Sequence, residues 1–278
     1  MTVALITQAG ISCNLGRLKT NSPSPTGTPG VVALASGTSA ASSPVEGIFI
    51  SQPGPNSRIS SPVSVVGEAD PSFEQNLIVR LTGEEGVTIA ISPTTIQAPL
   101  GSRGEFLLMQ DFTITKTQPG RISVYSTDAM TGAIEHLSSV EVQWLAGGSS
   151  QLASAVSEGE SIDIEQPAIG AQISGGNLQV SGYSDYFFES SLGIVLCGVG
   201  AGAAGADVTA ELCGGENNVL STGTAMIHSE DVGLPGPFSG QLSYSVSTPT
   251  DARLIVYATS ARDGGLLHVN SVAIQLLP

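Results

Sequence analysis

Two cysteines in the C-terminal part of the chain, Cys197 and Cys213, have the spacing that most directly indicates chemistry. They flank a Gly- and Ala-rich segment, and a disulfide bond between them would close that segment into a loop. The chain has three cysteines, so Cys13 stands outside this pair. A reduced pair and metal ligation are the alternatives, although zinc would need two further ligands. We predict the disulfide, a bond that persists in an oxidising compartment.

Cys13 ends a short apolar segment, residues 1–13, that lacks the basic start of a secretory signal. The segment is similar to the second half of a lipoprotein signal peptide whose start would lie upstream. Ser12 fits the pattern that precedes a lipidated cysteine, whereas Gly10 stands where leucine is usual. Cys13 is therefore the candidate lipidation site, with an ordinary secretory leader or a disordered start as the alternatives.

Two Phe-Glu pairs recur in the chain, Phe73-Glu74 and Phe188-Glu189, and two arginines, Arg121 and Arg253, recur with them. Each Glu could coordinate a cation, accept main-chain N–H groups or pair with an arginine. We interpret each Phe as a core residue, and we expect Glu74 to pair with Arg121 and Glu189 with Arg253.

The three histidines are not accompanied by a nucleophile motif. His136 and His268 occupy equivalent places, each four residues before the valine that begins a predicted final strand, Val140 or Val272. This recurrence favours a role in the fold over a role as catalytic base. His228 lies near Glu230 and Asp231. We predict no catalytic residue, no cofactor and no metal site. Calcium binding is a weaker alternative for the acidic residues near the cysteine pair, which are Asp207, Glu211, Glu216, Glu230 and Asp231.

The segments that must position these residues repeat one another. Ile50-Ser51-Gln52-Pro53 corresponds to Ile164-Glu165-Gln166-Pro167, and residues 121–132 correspond to residues 253–264. We call residues 47–145 the first repeat and residues 162–278 the second repeat. Each is predicted to be one domain, and the second carries an insertion at about 189–237 that contains both cysteines. Residues 14–46 and 146–161 are rich in Ser, Gly and Ala, which predicts a disordered tether and a linker.

Within each repeat the apolar residues alternate as they do in β-strands. Ile122, Val124 and Ser126 can face one core, and Leu254, Val256 and Ala258 are their counterparts. Short strands separated by Gly, Pro, Asn and Asp turns predict an all-β protein of two tandem immunoglobulin-like antiparallel β-sandwiches.

These residues resemble the immunoglobulin-like domain of bacterial spore germination and related bacterial surface lipoproteins. The resemblance rests on the Ile-x-x-Gln-Pro opening, Ser61 to Gly67, the Phe-Glu pair and the Val-Tyr strand of residues 124–125. In the second repeat Gly176-Asn177-Leu178 replaces Ser61-Pro62-Val63. The resemblance implies an immunoglobulin-like fold and an extracytoplasmic location in bacteria, at the cell surface, on a lipid anchor or secreted. It implies no catalytic residues.

The formal net charge of −15 disfavours nucleic acid as a partner, because phosphate binding needs clustered Lys and Arg. No apolar run is long enough for a transmembrane helix. We therefore predict a non-catalytic surface module that contacts a protein or a cell-envelope component. The alternative is a carbohydrate-binding module, which requires at least one solvent-facing ring among Tyr125, Trp144, Tyr183, Tyr186, Tyr244 and Tyr257.

Overall fold

The computed structural model describes residues 44–155, 159–198 and 208–278, which belong to one compact unit. The first repeat contains strands β1 (Ile48–Gln52), β2 (Arg58–Ile59), β3 (Val63–Ala69), β4 (Asn76–Thr82), β5 (Thr88–Thr95), β6 (Gly104–Gln110), β7 (Gln118–Thr127) and β8 (Ile134–Trp144). The second repeat contains β9 (Ile162–Gln166), β10 (Gln172–Ile173), β11 (Asn177–Ser184), β12 (Ser191–Gly198), β13 (Val219–Ile227), β14 (Gly236–Ser243), β15 (Thr250–Thr259) and β16 (Leu266–Leu276). A short helix, α1 (Val208–Leu212), precedes β13, and single 3-10 turns span Phe73–Gln75, Glu84–Gly86, Phe188–Ser190 and Glu216–Asn218.

The same succession of strands occurs in both repeats. The short strand β2 pairs in parallel with the end of β8, where Ile59 lies opposite Trp144. Its counterpart β10 pairs in parallel with the end of β16, where Ile173 lies opposite Leu276. The predicted all-β class with antiparallel sheets is confirmed, while the division into two separate domains stays a prediction.

The two repeats differ in how their layers close. In the first repeat one sheet has the order β1-β3-β6, and β5-β4-β7-β8 form the facing layer. In the second repeat β13 pairs with β12 on one side and with β14 on the other. Its two layers are therefore joined through β13 into one bent sheet. The extra residues of the second repeat fall between β12 and β13, where α1 lies.

The core of each repeat follows the alternation in the sequence. Ile122 and Val124 are fully buried between the layers of the first repeat, and Leu254 and Val256 are fully buried in the second. Side chains two positions apart share a face of a strand, so this alternation places them on one side of the sheet. The predicted core positions on β7 and β15 are confirmed.

A third core lies between the repeats. Strand β8 pairs antiparallel with β16, with Leu137 opposite Val269 and Ser138 opposite His268. The outer faces of the central strands, together with helix α1, bury a further set of apolar side chains: Tyr125, Ile134, Leu137, Val195, Leu212, Val219, Ile255, Leu266 and Val269. We call this region, in which the two repeats pair and pack together, the seam. Because of the seam, β7 and β15 are buried on both faces.

The predicted linker is tied to the first repeat in its described part. The main chains of Arg58 and Gln151 form two reciprocal hydrogen bonds, in which each N–H donates to the carbonyl of the other residue. The Gly54 N–H donates to the Ala153 carbonyl at 3.2 Å. Among the described residues, no helix is long and apolar enough to cross a membrane.

Candidate functional site at the seam

Two histidines and two glutamates meet at the seam. His136 lies on β8 and His268 on β16, so the antiparallel pairing of these strands brings the two rings together. Glu46 stands two residues before β1, and Glu160 stands two residues before β9. Each repeat therefore contributes one histidine from its last strand, and the residues that lead into its first strand contribute one glutamate. We count Glu46 with the first repeat, and Glu160 and Ser161 with the second. We call these four residues the Glu–His cluster.

The cluster has an approximate two-fold arrangement. His136 Nε2 lies 2.6 Å from Glu46 Oε1, and His268 Nε2 lies 2.7 Å from Glu160 Oε1. The distances between repeats also match, because His136 Nε2 is 3.8 Å from Glu160 Oε2 and His268 Nε2 is 3.9 Å from Glu46 Oε2. The two imidazole rings meet edge to face with centroids 5.2 Å apart. Each carboxylate thus lies between both histidines.

Main-chain groups hold both carboxylates in matching positions. Each carboxylate accepts one N–H from its own repeat and one from the other repeat. The donors are Ile48 and Ser161 to Glu46, at 3.3 and 3.4 Å, and Ile162 and Gly47 to Glu160, at 3.3 and 3.1 Å. The Ser138 hydroxyl also donates to Glu46, at 2.8 Å. These bonds orient the carboxylates together with the shorter contacts from the histidines.

The cluster favours the charged form of Glu46. Burial alone raises the pKa of Glu46, but the nearby His268 and the hydrogen bonds from His136 and Ser138 lower it to about 2. Burial lowers the pKa of His268, yet Glu46 and the hydrogen bond to Glu160 outweigh burial and raise it. The site therefore attracts positive charge to a place that solvent barely reaches.

The surroundings leave space for the cluster. A Cβ atom at Gly47 would lie 3.0 Å from Cε1 of His136, so a larger residue at this position would crowd the ring. A cavity of about 380 Å³ lies beside the cluster and is lined by Glu46, Ser138, Asp185 and His268, among others. Among the described residues, the Glu–His cluster is the group of His, Cys, Asp and Glu side chains with the spacing to hold a metal ion, its ligand atoms all lying within 4.8 Å of one another.

Half of this cluster was predicted as a matched pair. His136 and His268 are equivalent positions in the two repeats, whereas Glu46 falls in the predicted tether and Glu160 in the predicted linker. A signal for both glutamates is present in the sequence, because Glu-x-Ile-x-Ile-x-Gln-Pro occurs at residues 46–53 and again at residues 160–167. The Ser-rich composition on either side of each motif concealed it.

The predicted ion pairs within each repeat are wrong. Glu74 and Glu189 are exposed in the turns after β3 and β11, whereas Arg121 and Arg253 extend into the seam. Arg121 pairs with Asp263 of the second repeat at 3.1 Å. Arg253 pairs with Glu135 of the first repeat at 2.7 Å. The outer faces of β7 and β15 point toward the other repeat, so each arginine finds its acidic partner there.

Phe73 and Phe188 are not core residues, which corrects the prediction. Their side chains are 57% and 58% exposed. Both lie in 3-10 turns between strands, where the alternation of a strand no longer directs a side chain inward. In both turns the next two residues have positive φ, with values of 52° and 59° at Glu74 and Gln75 and of 59° and 50° at Glu189 and Ser190.

The cysteine pair forms the predicted disulfide. Cys197 at the end of β12 is bonded to Cys213, which follows α1, and both side chains are buried at the seam. Glu211 on α1 pairs with Arg80 of the first repeat. Cys13 and Asp207 lie outside the described residues.

The remaining candidate site residues differ in their exposure to solvent. Trp144 is fully buried, donates from Nε1 to the Thr82 carbonyl at 2.7 Å and packs against Phe112. His228 is exposed and lies 3.1 Å from the Ser239 hydroxyl. Of the six rings considered for glycan binding, Tyr125, Trp144 and Tyr244 are buried and Tyr257 is half-buried, whereas Tyr183 and Tyr186 are exposed.

Most of the first repeat is matched by a known family of domains. Residues 47–133 match the immunoglobulin-like domain of bacterial spore germination. The predicted family is therefore confirmed for this part of the first repeat. No curated protein matches the sequence.

The solved structures that the chain matches share little sequence with it and have low TM-scores. Red sea bream transglutaminase is 12% identical with a TM-score of 0.26, and the match covers 82% of this chain and 31% of that protein. Latent PorU from Porphyromonas gingivalis is 10% identical with a TM-score of 0.23, covering 81% of this chain and 22% of PorU. The Ig1-2 module of the Drosophila receptor protein tyrosine phosphatase DLAR is 10% identical with a TM-score of 0.20, covering 83% of this chain and 99% of the module. The chain thus spans less than a third of the first two proteins.

Proposed function

We propose that this chain is a non-catalytic module of the bacterial cell surface that binds a protein or another envelope component through its two Phe-Glu turns. The observation that carries the proposal is the exposure of Phe73 and Phe188 in equivalent turns of both repeats. A large apolar ring in water contributes nothing to the core, and the same arrangement occurs twice. Single exposed apolar side chains are common on protein surfaces, so the proposal is supported by the recurrence of the same ring in the same turn of both repeats.

The conformation of the turns supports the same interpretation. Non-glycine residues with positive φ cost of order 1–3 kcal/mol each, and such residues cluster at binding sites. In the first repeat the buried Gln75 gives a structural reason for this conformation, because its Nε2 lies within hydrogen-bonding distance of the carbonyls of Ala98, Pro99 and Ser102. The 3-10 turn that Gln75 anchors holds Phe73 at the surface. A partner that covers the ring would gain apolar contact without having to order it.

The location outside the cytoplasm is part of the proposal. The family match to a spore germination domain and the Cys197–Cys213 disulfide both support it. On this proposal Cys13 carries a lipid anchor, and the module acts at the cell surface in a process related to spore germination.

Site-directed photo-crosslinking tests the binding proposal. Benzoylphenylalanine replaces Phe73 or Phe188 in the full chain, which is then irradiated with the envelope fraction of the source bacterium. We expect both positions to give a covalent adduct with the same partner. Probes at Met130 and Val232 serve as controls, since these apolar side chains are 80% and 82% exposed but lie outside the turns. Equal labelling from all four positions, or none from the turns, would overturn the proposal.

Stability measurements on Phe73→Ala and Phe188→Ala complement the crosslinking. An exposed ring in a strained turn adds little to the folded state, so we expect both variants to unfold within about 0.5 kcal/mol of the parent chain. Binding to the envelope partner should fall for both. A large loss of stability would instead assign the rings to the fold.

Carbohydrate binding is the second candidate, and the exposed Tyr183 and Tyr186 favour it. Both rings lie at the end of β11 near Asp185, so a sugar could stack on a ring beside a carboxylate. Co-sedimentation with purified peptidoglycan tests this candidate. It requires that Tyr183→Ala and Tyr186→Ala weaken co-sedimentation while Phe73→Ala leaves it unchanged.

A further inference from the structure

We infer that the Glu–His cluster is a binding site for one divalent transition-metal ion, with Zn²⁺ as the best match, that joins the two repeats. The ligands would be Glu46 and His136 from the first repeat and Glu160 and His268 from the second. This inference is independent of the proposed binding function, because the cluster lies at the seam and the Phe-Glu turns lie elsewhere.

The spacing of the ligand atoms fits a tetrahedral ion. Bonds of about 2.0–2.1 Å to nitrogen and oxygen place neighbouring ligand atoms about 3.3–3.4 Å apart. In the cluster, the two distances within the repeats are 2.6 and 2.7 Å, and the two between the repeats are 3.8 and 3.9 Å. To reach tetrahedral spacing, the first two distances must lengthen by roughly 0.7 Å and the last two must shorten by roughly 0.5 Å. The short distances end on Oε1 and the long ones on Oε2 of each carboxylate, so rotation of the glutamate side chains must also bring one oxygen of each toward the ion.

The chemistry of the ligands selects the class of ion. Imidazole nitrogen combined with carboxylate oxygen suits zinc and its neighbours in the first transition series, whereas calcium and magnesium prefer oxygen alone. A histidine must give up its proton at the ligating nitrogen to bind a metal, and two carboxylates with two such neutral imidazoles carry a net charge of −2, which one divalent cation balances. Because that charge is buried, its balance matters far more than it would at the surface.

The cluster also has the outer contacts that metal ligands need. Main-chain N–H groups of both repeats donate hydrogen bonds to the carboxylates, and the Ser138 hydroxyl donates a further one to Glu46. Such contacts orient ligands and raise metal affinity. All of them remain available when the histidines turn their Nε2 atoms toward an ion. The adjacent cavity of about 380 Å³ provides a path of entry.

Metal binding to the full chain tests the inference. The protein is prepared without a polyhistidine tag, treated with a chelator and titrated with Zn²⁺ and with Co²⁺. We expect one equivalent per chain and the intense visible absorption of tetrahedral Co²⁺. This measurement needs no variant, so it does not depend on whether substitutions at the seam fold.

Variants then locate the ion. Glu160→Gln and His268→Gln keep the side-chain size, and we expect each to weaken Zn²⁺ binding by more than about 100-fold, since even the loss of outer contacts costs about 10–100-fold. His228→Ala is the matched control, because His228 is exposed and remote from the cluster in sequence; it should bind like the parent chain. Failure to bind Zn²⁺ or Co²⁺, an octahedral Co²⁺ spectrum, or unchanged binding in His268→Gln would each overturn the inference.

Discussion

Arg121 of the first repeat and Asp263 of the second form an ion pair across the seam, with Nη2 and Oδ1 3.1 Å apart and side chains that are 2% and 0% exposed. Asp263 also accepts hydrogen bonds from Arg262 and from the main chain of Gly265. Arg121 has a second, longer contact with Glu141 at 3.4 Å. The pair therefore depends on both repeats being in place, and it makes folding of one repeat sensitive to the other.

Removal of the charge on Asp263 should destabilise the whole chain. Asp263→Asn leaves the buried Arg121 with only its long contact to Glu141, and breaking a buried pair in this way costs about 3–5 kcal/mol. The control is Glu84→Gln, which makes the same chemical change in an exposed pair with Lys116 and should cost less than about 1 kcal/mol. Urea unfolding followed by circular dichroism measures both. Equal effects of the two variants would show that the seam pair contributes no more than a surface pair.

The same carboxylate should make stability depend on acidity. Burial alone raises the pKa of Asp263, but hydrogen bonds from Arg262, Gly265 and Arg121 lower it from 3.8 to about 2. A lowered pKa in the folded state contributes stability that is present above pH 3.8 and is lost as the pH falls toward 2. Unfolding midpoints between pH 6 and pH 2 should fall less steeply for Asp263→Asn than for the parent chain. Parallel curves would contradict this prediction.

Local pattern accounts for the cores but not for the seam. The alternation at Ile122 and Val124 and at Leu254 and Val256 follows from the geometry of a strand, so it can be predicted without knowledge of the partner. The pairing of Leu137 with Val269 joins residues far apart in the sequence, and no local rule specifies it. Arg121 lies on the outer face of β7, where a polar residue predicts contact with water. The second repeat covers that face, and this reverses the expectation.

The candidate site, like the fold, can be predicted only in part from local sequence. Equivalent histidines could be recognised from the repeats, but their proximity depends on the antiparallel pairing of β8 with β16. The exposure of Phe73 was missed for a different reason. A Phe after a strand predicts a core position, whereas the left-handed residues Glu74 and Gln75 form a turn that keeps the ring outside.

The disulfide should stabilise the chain through the loop that it closes. The two cysteines are 16 residues apart, and a loop of this length contributes about 3 kcal/mol by restricting the unfolded chain. Cys197→Ala combined with Cys213→Ala should lower the free energy of unfolding by about this amount, and reductant should then have no further effect. Cys13→Ser is the control, since it leaves the bridge intact. An unchanged free energy of unfolding in the double variant would contradict the prediction. It would show that the disulfide does not restrict the unfolded chain beyond the structure that this chain already retains.

Gly120 should be essential to the packing of the single tryptophan. A Cβ atom at this position would overlap Nε1 of Trp144 and the Thr82 carbonyl, the two groups joined by the buried hydrogen bond of 2.7 Å. Gly120→Ala should therefore cost about 3 kcal/mol through overpacking and loss of that bond. Gly147→Ala is the matched control, because a Cβ atom there meets nothing within 4 Å, and it should change stability by less than about 0.5 kcal/mol.

Fluorescence of Trp144 reports both substitutions, since the chain contains one tryptophan. The parent chain should emit at the short wavelength of a buried indole and shift to longer wavelength on unfolding. Gly120→Ala should already emit at longer wavelength before denaturant is added, because displacement of the ring opens it to solvent. Because the seam couples the repeats, the fluorescence transition, which reports the first repeat, should coincide with the circular dichroism transition of the whole chain. Two separate transitions would show that the repeats unfold independently despite the Arg121–Asp263 pair.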